Sequence, residues 1–300
     1  MRWMFNQCTN LESIGDISNW DVSKVTTFSA MFELCSNLES IGDLSGWNVG
    51  SCTDMRWMFN QCSNLESIGD ISNWDVSKVT TFKAMFWRCS KLESIGDLSG
   101  WNVGSCTDMS WMFNQCSNLE SIGDISNWDV SKVTTFKYMF RDCYKLSPTL
   151  CKQTENWDVS SCLDFIGMFS YIGNNEYIED TINLNNWKFN DSGDKIYLNR
   201  LFHYVSFHTI DMSEVDFSHI VSLQECFVGS HVRIIKLGKN IPDETYLTNI
   251  VNIFVYAFMV QELHFNAENT PANCIRIMKL LMRTYTKCFI GEVEYKYDSS

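Results

Sequence analysis

The sequence predicts an α/β repeat, a solenoid of stacked strand–helix coils with a cap at its C-terminal end. The first observation is a nine-residue stretch, WDVSKVTTF, that recurs at 20–28, 74–82 and 128–136, a step of 54. The second is a set of ladders with half that step. Trp20, Trp47, Trp74, Trp101 and Trp128 are each 27 apart. Cys8, Cys35, Cys62, Cys89, Cys116 and Cys143 keep the same step, and so do Leu11, Leu38, Leu65, Leu92 and Leu119. A period in the twenties marks coils too small to bury their own apolar face, so that only stacking makes a continuous core.

Each element of the coil has its own pattern. Val25, Phe28, Met31, Phe32 and Cys35 fall at steps of three and four, one apolar face of a short helix. Leu38-Glu39-Ser40-Ile41 reads as a short strand, ended by the turn or bulge signal Gly42-Asp43. Trp47 and Val49 close the coil before the next helix. Roughly ten coils at ~4.8 Å each would make a body on the order of 50 Å long.

The stretch Leu65, Ile68, Ser72-Asn73-Trp74-Asp75-Val76-Ser77, Val79, Met85-Phe86 and Cys89 resembles the BspA-like leucine-rich repeat of bacterial surface proteins and of some protists and viruses. The resemblance covers residues 1–164. Gly69-Asp70 makes the stretch between strand and tryptophan about one residue longer than in that family. The resemblance implies a right-handed leucine-rich-repeat solenoid and a role in adhesion or recognition.

The copies decay after residue 164. Met168-Phe169 echoes the helix, and Asn186-Trp187 echoes the tryptophan turn. Strands are expected at Ile210-Asp211-Met212, Ile234-Ile235-Lys236-Leu237 and Glu262-Leu263-His264-Phe265. A helix is expected from Cys274 to Tyr285, and a strand at Phe289–Tyr297. This divides the chain into regular repeats at 1–164, degenerate repeats at 165–270 that continue the solenoid, and a helix–strand cap at 271–300. No linker composition separates the three.

Composition narrows the function classes. Hydrophobic residues make up 45% of the 300, ample for a core. A net charge of −13 disfavours unaided nucleic-acid binding, which needs lysines and arginines on phosphates. The longest apolar run, Ile253 to Val260, is too short to cross a bilayer, so no membrane insertion by this chain is expected. The N-terminal Met-Arg-Trp-Met-Phe lacks the basic-then-apolar order of a signal peptide, and the chain opens in mid-repeat, as a fragment would.

The 13 cysteines hold no C-x-x-C pair. Cys52, Cys106 and Cys162 stand where Val25, Val79 and Val133 stand in alternate coils, so they read as small buried apolar side chains, unbridged and without metal. His203, His208, His219, His231 and His264 show no metal or catalytic spacing. The sequence has no G-x-S-x-G, phosphate loop or nucleophile–base arrangement. The acidic columns Glu12–Glu120 and Asp16–Asp124 read as solvated charge rather than a calcium array, and Asn19 and Asp21 as turn caps. Asn190-Asp191-Ser192 is a lone glycosylation sequon. No cofactor or metal is implied, and the chain reads as a non-enzyme.

Residues 1–54 and 55–108 differ at Thr9/Ser63, Ser29/Lys83, Glu33/Trp87, Leu34/Arg88 and Asn37/Lys91, all off the apolar ladders. Lys83, Trp87, Arg88 and Lys91 form a basic and aromatic set on an acidic chain, the candidate partner-binding residues. Neutral drift on a solvent face would produce such differences too. Trp3, Trp57 and Trp111 alternate with Ala30, Ala84 and Tyr138. This reads as large-over-small packing between coils, or as an aromatic recognition stripe. The expected function is an adhesion or recognition module that binds a protein or glycan through an extended face. It would sit at a cell surface or outside the cell, if part of a longer secreted protein. The alternative is a structural component of a virus or phage particle, a spacer or fibre element of the virion.

Overall fold

The computed structural model describes residues 1–175, 177–189, 192–281 and 286–295. It is a β-solenoid with few helices. Its spine is a column of phenylalanines, Phe5, Phe32, Phe59, Phe86, Phe113, Phe140, Phe169, Phe202, Phe227 and Phe254. Neighbouring rings lie 5.3–6.3 Å apart and nearly parallel. Beyond burial, each such ring pair is worth about 0.5–1.5 kcal/mol. The column crosses residue 164 without a break and reaches Phe254. One hydrophobic core runs from Ile17 to Ile290.

A second column seats the tryptophans. The indole N–H of Trp47, Trp74, Trp101, Trp128 and Trp157 donates to the carbonyl of Ile17, Leu44, Ile71, Leu98 and Ile125, at 3.0–3.1 Å. Trp187 repeats the bond to Thr154, so the tryptophan turn read at Asn186-Trp187 is present. A buried indole needs a partner for its N–H, and here the partner is always the coil before.

The helix expected over Val25–Cys35 is absent. The segment is a run of tandem turns. Met31 N–H donates to Phe28 O and Cys35 N–H to Phe32 O, each closing a four-residue turn. The third residues, Ala30 and Leu34, have φ of 53° and 64°. That is the left-handed region a type II turn requires. The intervening amides point along the solenoid axis: Phe28, Ala30, Phe32 and Leu34 donate to Asp54, Arg56, Met58 and Asn60 of the next coil, at 2.8–3.0 Å. Steps of three and four put Phe28, Met31, Phe32 and Cys35 inside in either conformation, and all four are fully buried. The apolar spacing is therefore helical while the hydrogen bonding is that of a sheet.

The short strand expected at 38–41 shrinks to one parallel bridge per coil, Ser13–Ser40–Ser67–Ser94. A second bridge column runs Thr27–Asp54–Thr81–Asp108–Thr135–Asp164–Tyr197. Glycines at positive φ follow the first column and stop it from lengthening. Later in the chain true strands appear: β1 (Ile178–Asn183), β2 (Ile196–Tyr197), β3 (Phe207–Asp211), β4 (Ile220–Ser222), β5 (Ile234–Leu237) and β6 (Glu262–Phe265), with β2 continuing the second bridge column through Tyr197. β1, β3, β5 and β6 pair in parallel, and β2 pairs with β4. β5 and β6 fall where the sequence places them, and β3 lies slightly earlier than its signal.

The described α-helices are α1 (Leu150–Gln153) and α2 (Pro271–Leu281), beside short 3-10 turns at Leu98–Gly100 and Ile172–Asn175. The expected C-terminal helix thus starts earlier than Cys274, and its last positions, 282–285, lie outside the described residues. The final strand expected at 289–297 is a hairpin of β7 (Lys287–Ile290) and β8 (Val293–Tyr295). It turns at Gly291, with φ 59°; β7 pairs in parallel with β6 and β8 antiparallel with β7. Residues 296–300 lie outside the described residues, as do 190 and 191 of the sequon.

Candidate recognition face

The tandem turns carry two columns of left-handed residues, of which Ala30, Ala84 and Asp142 are buried and the others half-buried or exposed. One is Trp3, Ala30, Trp57, Ala84, Trp111 and Tyr138, with φ between 51° and 64°. The other is Gln7, Leu34, Gln61, Arg88, Gln115 and Asp142, with φ between 60° and 64°. Non-glycine residues pay about 1–2 kcal/mol for this conformation, and the amide bonds to the next coil hold them there.

In the first column, Trp3 is exposed and Trp57 and Trp111 are half-buried. Trp111 meets the ring of Trp87 at 5.0 Å and that of Tyr138 at 4.7 Å. Large-over-small alternation therefore does not hold throughout, because Trp111 and Tyr138 are large residues in adjacent coils. The three rings form an aromatic cluster with cations around it. The Arg88 guanidinium lies 5.2 Å from the Trp87 ring, and Arg141 and Lys137 lie 5.0 and 5.7 Å from Tyr138.

In the second column, Arg88 Nε donates to Gln115 Oε1 at 2.7 Å, and Gln115 Nε2 to Asp142 Oδ2 at 3.3 Å. The Tyr144 hydroxyl donates to Asp142 Oδ1 at 3.3 Å, and Arg141 pairs with the same carboxylate. Partial burial and this neighbouring carboxylate both push the Tyr144 phenol above its ordinary range. Beside the chain runs a groove of about 340 Å³. Its floor holds Ser63, Ser90 and Ser117, whose hydroxyls donate to the serine carbonyl one coil back at 3.2 Å.

Of the four residues singled out from the sequence, the structure joins Trp87 and Arg88. Lys83 is half-buried and lies 4.0 Å from Asp108, and Lys91 is exposed outside the Arg88–Gln115–Asp142 chain. The five differing positions are not all at the surface. Ser29 is fully buried. Glu33 is half-buried and accepts from Asn6 at 2.7 Å and from Asn60 at 2.9 Å. In the second copy Trp87 takes that place. Among the described residues, its indole nitrogen and both amide atoms of Asn114 are buried without a hydrogen-bond partner. Gln115, Asp142 and Tyr144 were not marked by sequence. The signal was there for two of them, since 88, 115 and 142 differ by one repeat each.

The acidic columns do local structural work. Asp16, Asp43, Asp70, Asp97 and Asp124 each accept from the backbone N–H of the serine two residues on, at 2.9 Å. Asp21 caps its turn through Ser23 in the same way. Among the described residues, no group of three or more His, Cys, Asp and Glu side chains converges, and no helix is long and apolar enough to cross a membrane.

A family model described as "Mycoplasma protein of unknown function, DUF285" matches three overlapping stretches, residues 1–121, 66–187 and 124–239. The overlaps follow from the repeat, which lets one model be laid on the chain in several registers. No curated protein and no solved structure matches the chain.

Proposed function

The chain belongs to this family of Mycoplasma proteins of unknown function, and on that premise we propose that it is a non-enzymatic adhesion or recognition module. It binds a protein or glycan at a cell surface, and its binding face is the aromatic and basic patch around Trp87 and Arg88. The finer structural reading belongs with this proposal: BspA-like leucine-rich coils, wound right-handed, with 271–300 as a terminal cap.

One observation carries the reading. Two near-identical copies differ at a position where the first carries a doubly paired carboxylate, although Ser29 Oγ of that copy and Asn60 Oδ1 are also buried without a partner. Glu33 ties Asn6 to Asn60, whereas Trp87 leaves its own N–H and Asn114 unpaired. Each unsatisfied buried polar group costs about 1–3 kcal/mol. The Trp87–Trp111 contact returns about 0.5–1.5 kcal/mol. Folding alone favours Glu at this position, so the tryptophan serves contact with a partner.

The test is reversion to the first copy: Lys83→Ser, Trp87→Glu, Arg88→Leu and Lys91→Asn together. Binding to an immobilised panel of glycans and matrix glycoproteins should fall at least tenfold. Stability in denaturant should rise by about 1–2 kcal/mol, because Glu at 87 can accept from Asn60 and Asn114. Undiminished binding would mean the substitutions are drift.

A further inference from the structure

Resting on the recognition reading above, we infer that the groove beside Arg88, Gln115, Asp142 and Tyr144 binds an extended β-linked oligosaccharide lying along the solenoid axis. The first argument is chemical. A sugar offers vicinal hydroxyls that donate and accept in pairs, and it has a flat C–H face. Guanidinium, amide and carboxylate are the planar side chains that meet hydroxyl pairs, with donors and acceptors at fixed separations. All three stand here in succession, linked as Arg88–Gln115–Asp142.

These links hold the groups in place while leaving capacity for a ligand. Nε of Arg88 is engaged by Gln115, and the terminal nitrogens of this exposed side chain remain available as donors. Gln115, Tyr144 and Arg141 all reach the buried Asp142 carboxylate at 3.3 Å, contacts long enough for a ligand hydroxyl to take the place of one of them. The Tyr144 ring, 41% exposed at the end of the groove, supplies an apolar platform for a C–H face.

The second argument is spatial. The three planar groups occupy three successive coils, a repeat apart in sequence. Coils advance by ~4.8 Å, the parallel-strand spacing. A β-linked hexopyranose in an extended chain advances by about as much per unit. One sugar per coil makes three units the smallest ligand that engages the whole row. Leu34 stands where Arg88 stands in the other copy, so the row exists once among the regular coils.

The test is calorimetric titration of the whole chain with glucose, cellotriose, cellotetraose, N,N′,N″-triacetylchitotriose and the curved α-linked control maltotriose. A β-linked trisaccharide should bind at least tenfold more tightly than glucose or maltotriose. Gln115→Leu and Arg88→Leu should each weaken it at least tenfold, and the second places a residue that the first copy already accommodates. The inference is overturned if no β-linked trisaccharide binds at millimolar concentration, or if both variants bind as well as the parent. Suppose that the panel glycoproteins, once enzymatically deglycosylated, still retain the parent chain and release the fourfold reversion. Then the recognition reading stands and the oligosaccharide inference falls.

Discussion

At the scale of single residues, the cysteine ladder shows how the repeat treats a small side chain. Cys62, Cys89 and Cys116 are fully buried, and each thiol donates to a phenylalanine carbonyl of the preceding coil at 3.0 Å. All thirteen cysteines are unbridged, and Cys8 is exposed, a departure from the buried ladder. Burial pushes Cys35 and Cys52 up to about 11 and Cys106 to about 12. Unfolded thiols ionise near pH ~8.5. Above that pH the native state keeps protons that the unfolded state releases. Stability is therefore complete below pH ~8.5 and falls as pH rises towards 11–12, by ~1.4 kcal/mol per pH unit for each such thiol. Denaturant unfolding at pH 8 and pH 10 should show a marked loss at the higher value. In the native protein at pH 8 a thiol reagent should label Cys8 fast and the buried rungs only on unfolding. Fast labelling of the rungs, or equal stability at the two pH values, would contradict this account.

At the scale of the element, the turn after each bridge depends on glycine. Gly42, Gly69, Gly96 and Gly123 have φ between 82° and 88°, and a methyl group on any of them would strike the aspartate of the preceding coil. For Gly69 the obstacle is the Asp43 carboxylate, which already accepts from Ser45 N–H. Gly69→Ala pays for the left-handed backbone and displaces that bond, together about 2–3 kcal/mol. Gly46 has open space around it. Gly46→Ala should cost within about 0.5 kcal/mol. Comparing the two unfolding midpoints checks the claim, and equal midpoints would remove the glycine column from the account of the fold.

At the scale of the whole molecule, stability is a sum over neighbouring coils. Removing 55–108 joins Asp54 to Met109, and removing 82–108 joins Thr81 to Met109. Both keep the Phe, Trp and Cys columns in register. The two-coil deletion should lose about twice the stability of the one-coil deletion, because it removes twice as many interfaces. The Trp57–Trp111 contact created by the shorter deletion resembles the existing Trp111–Tyr138 contact and carries no overpacking cost. Unfolding of parent and both variants by denaturant measures this. A one-coil deletion less stable than the two-coil deletion would make the 54-residue pair the true structural unit.

The sequence alone determined the coil length, the ladders and which side chains they bury. Each apolar ladder residue meets its own copy one period on and is buried there, whereas the acidic columns of the same step stay at the surface. The later strands β5 and β6 were legible for a related reason, being short β-branched or apolar runs between turn signals. Tertiary structure decided what the backbone does between those points. Steps of three and four suit a helix and a run of tandem turns equally, because both return Phe28, Met31, Phe32 and Cys35 to one face. The choice lies with the amides of Phe28, Ala30, Phe32 and Leu34, whose acceptors are in the next coil. It also decided the groove. Arg88, Gln115 and Asp142 become neighbours when coils stack; their one-repeat spacing is legible in the sequence, but the bonds that join them are made only by the stacked coils.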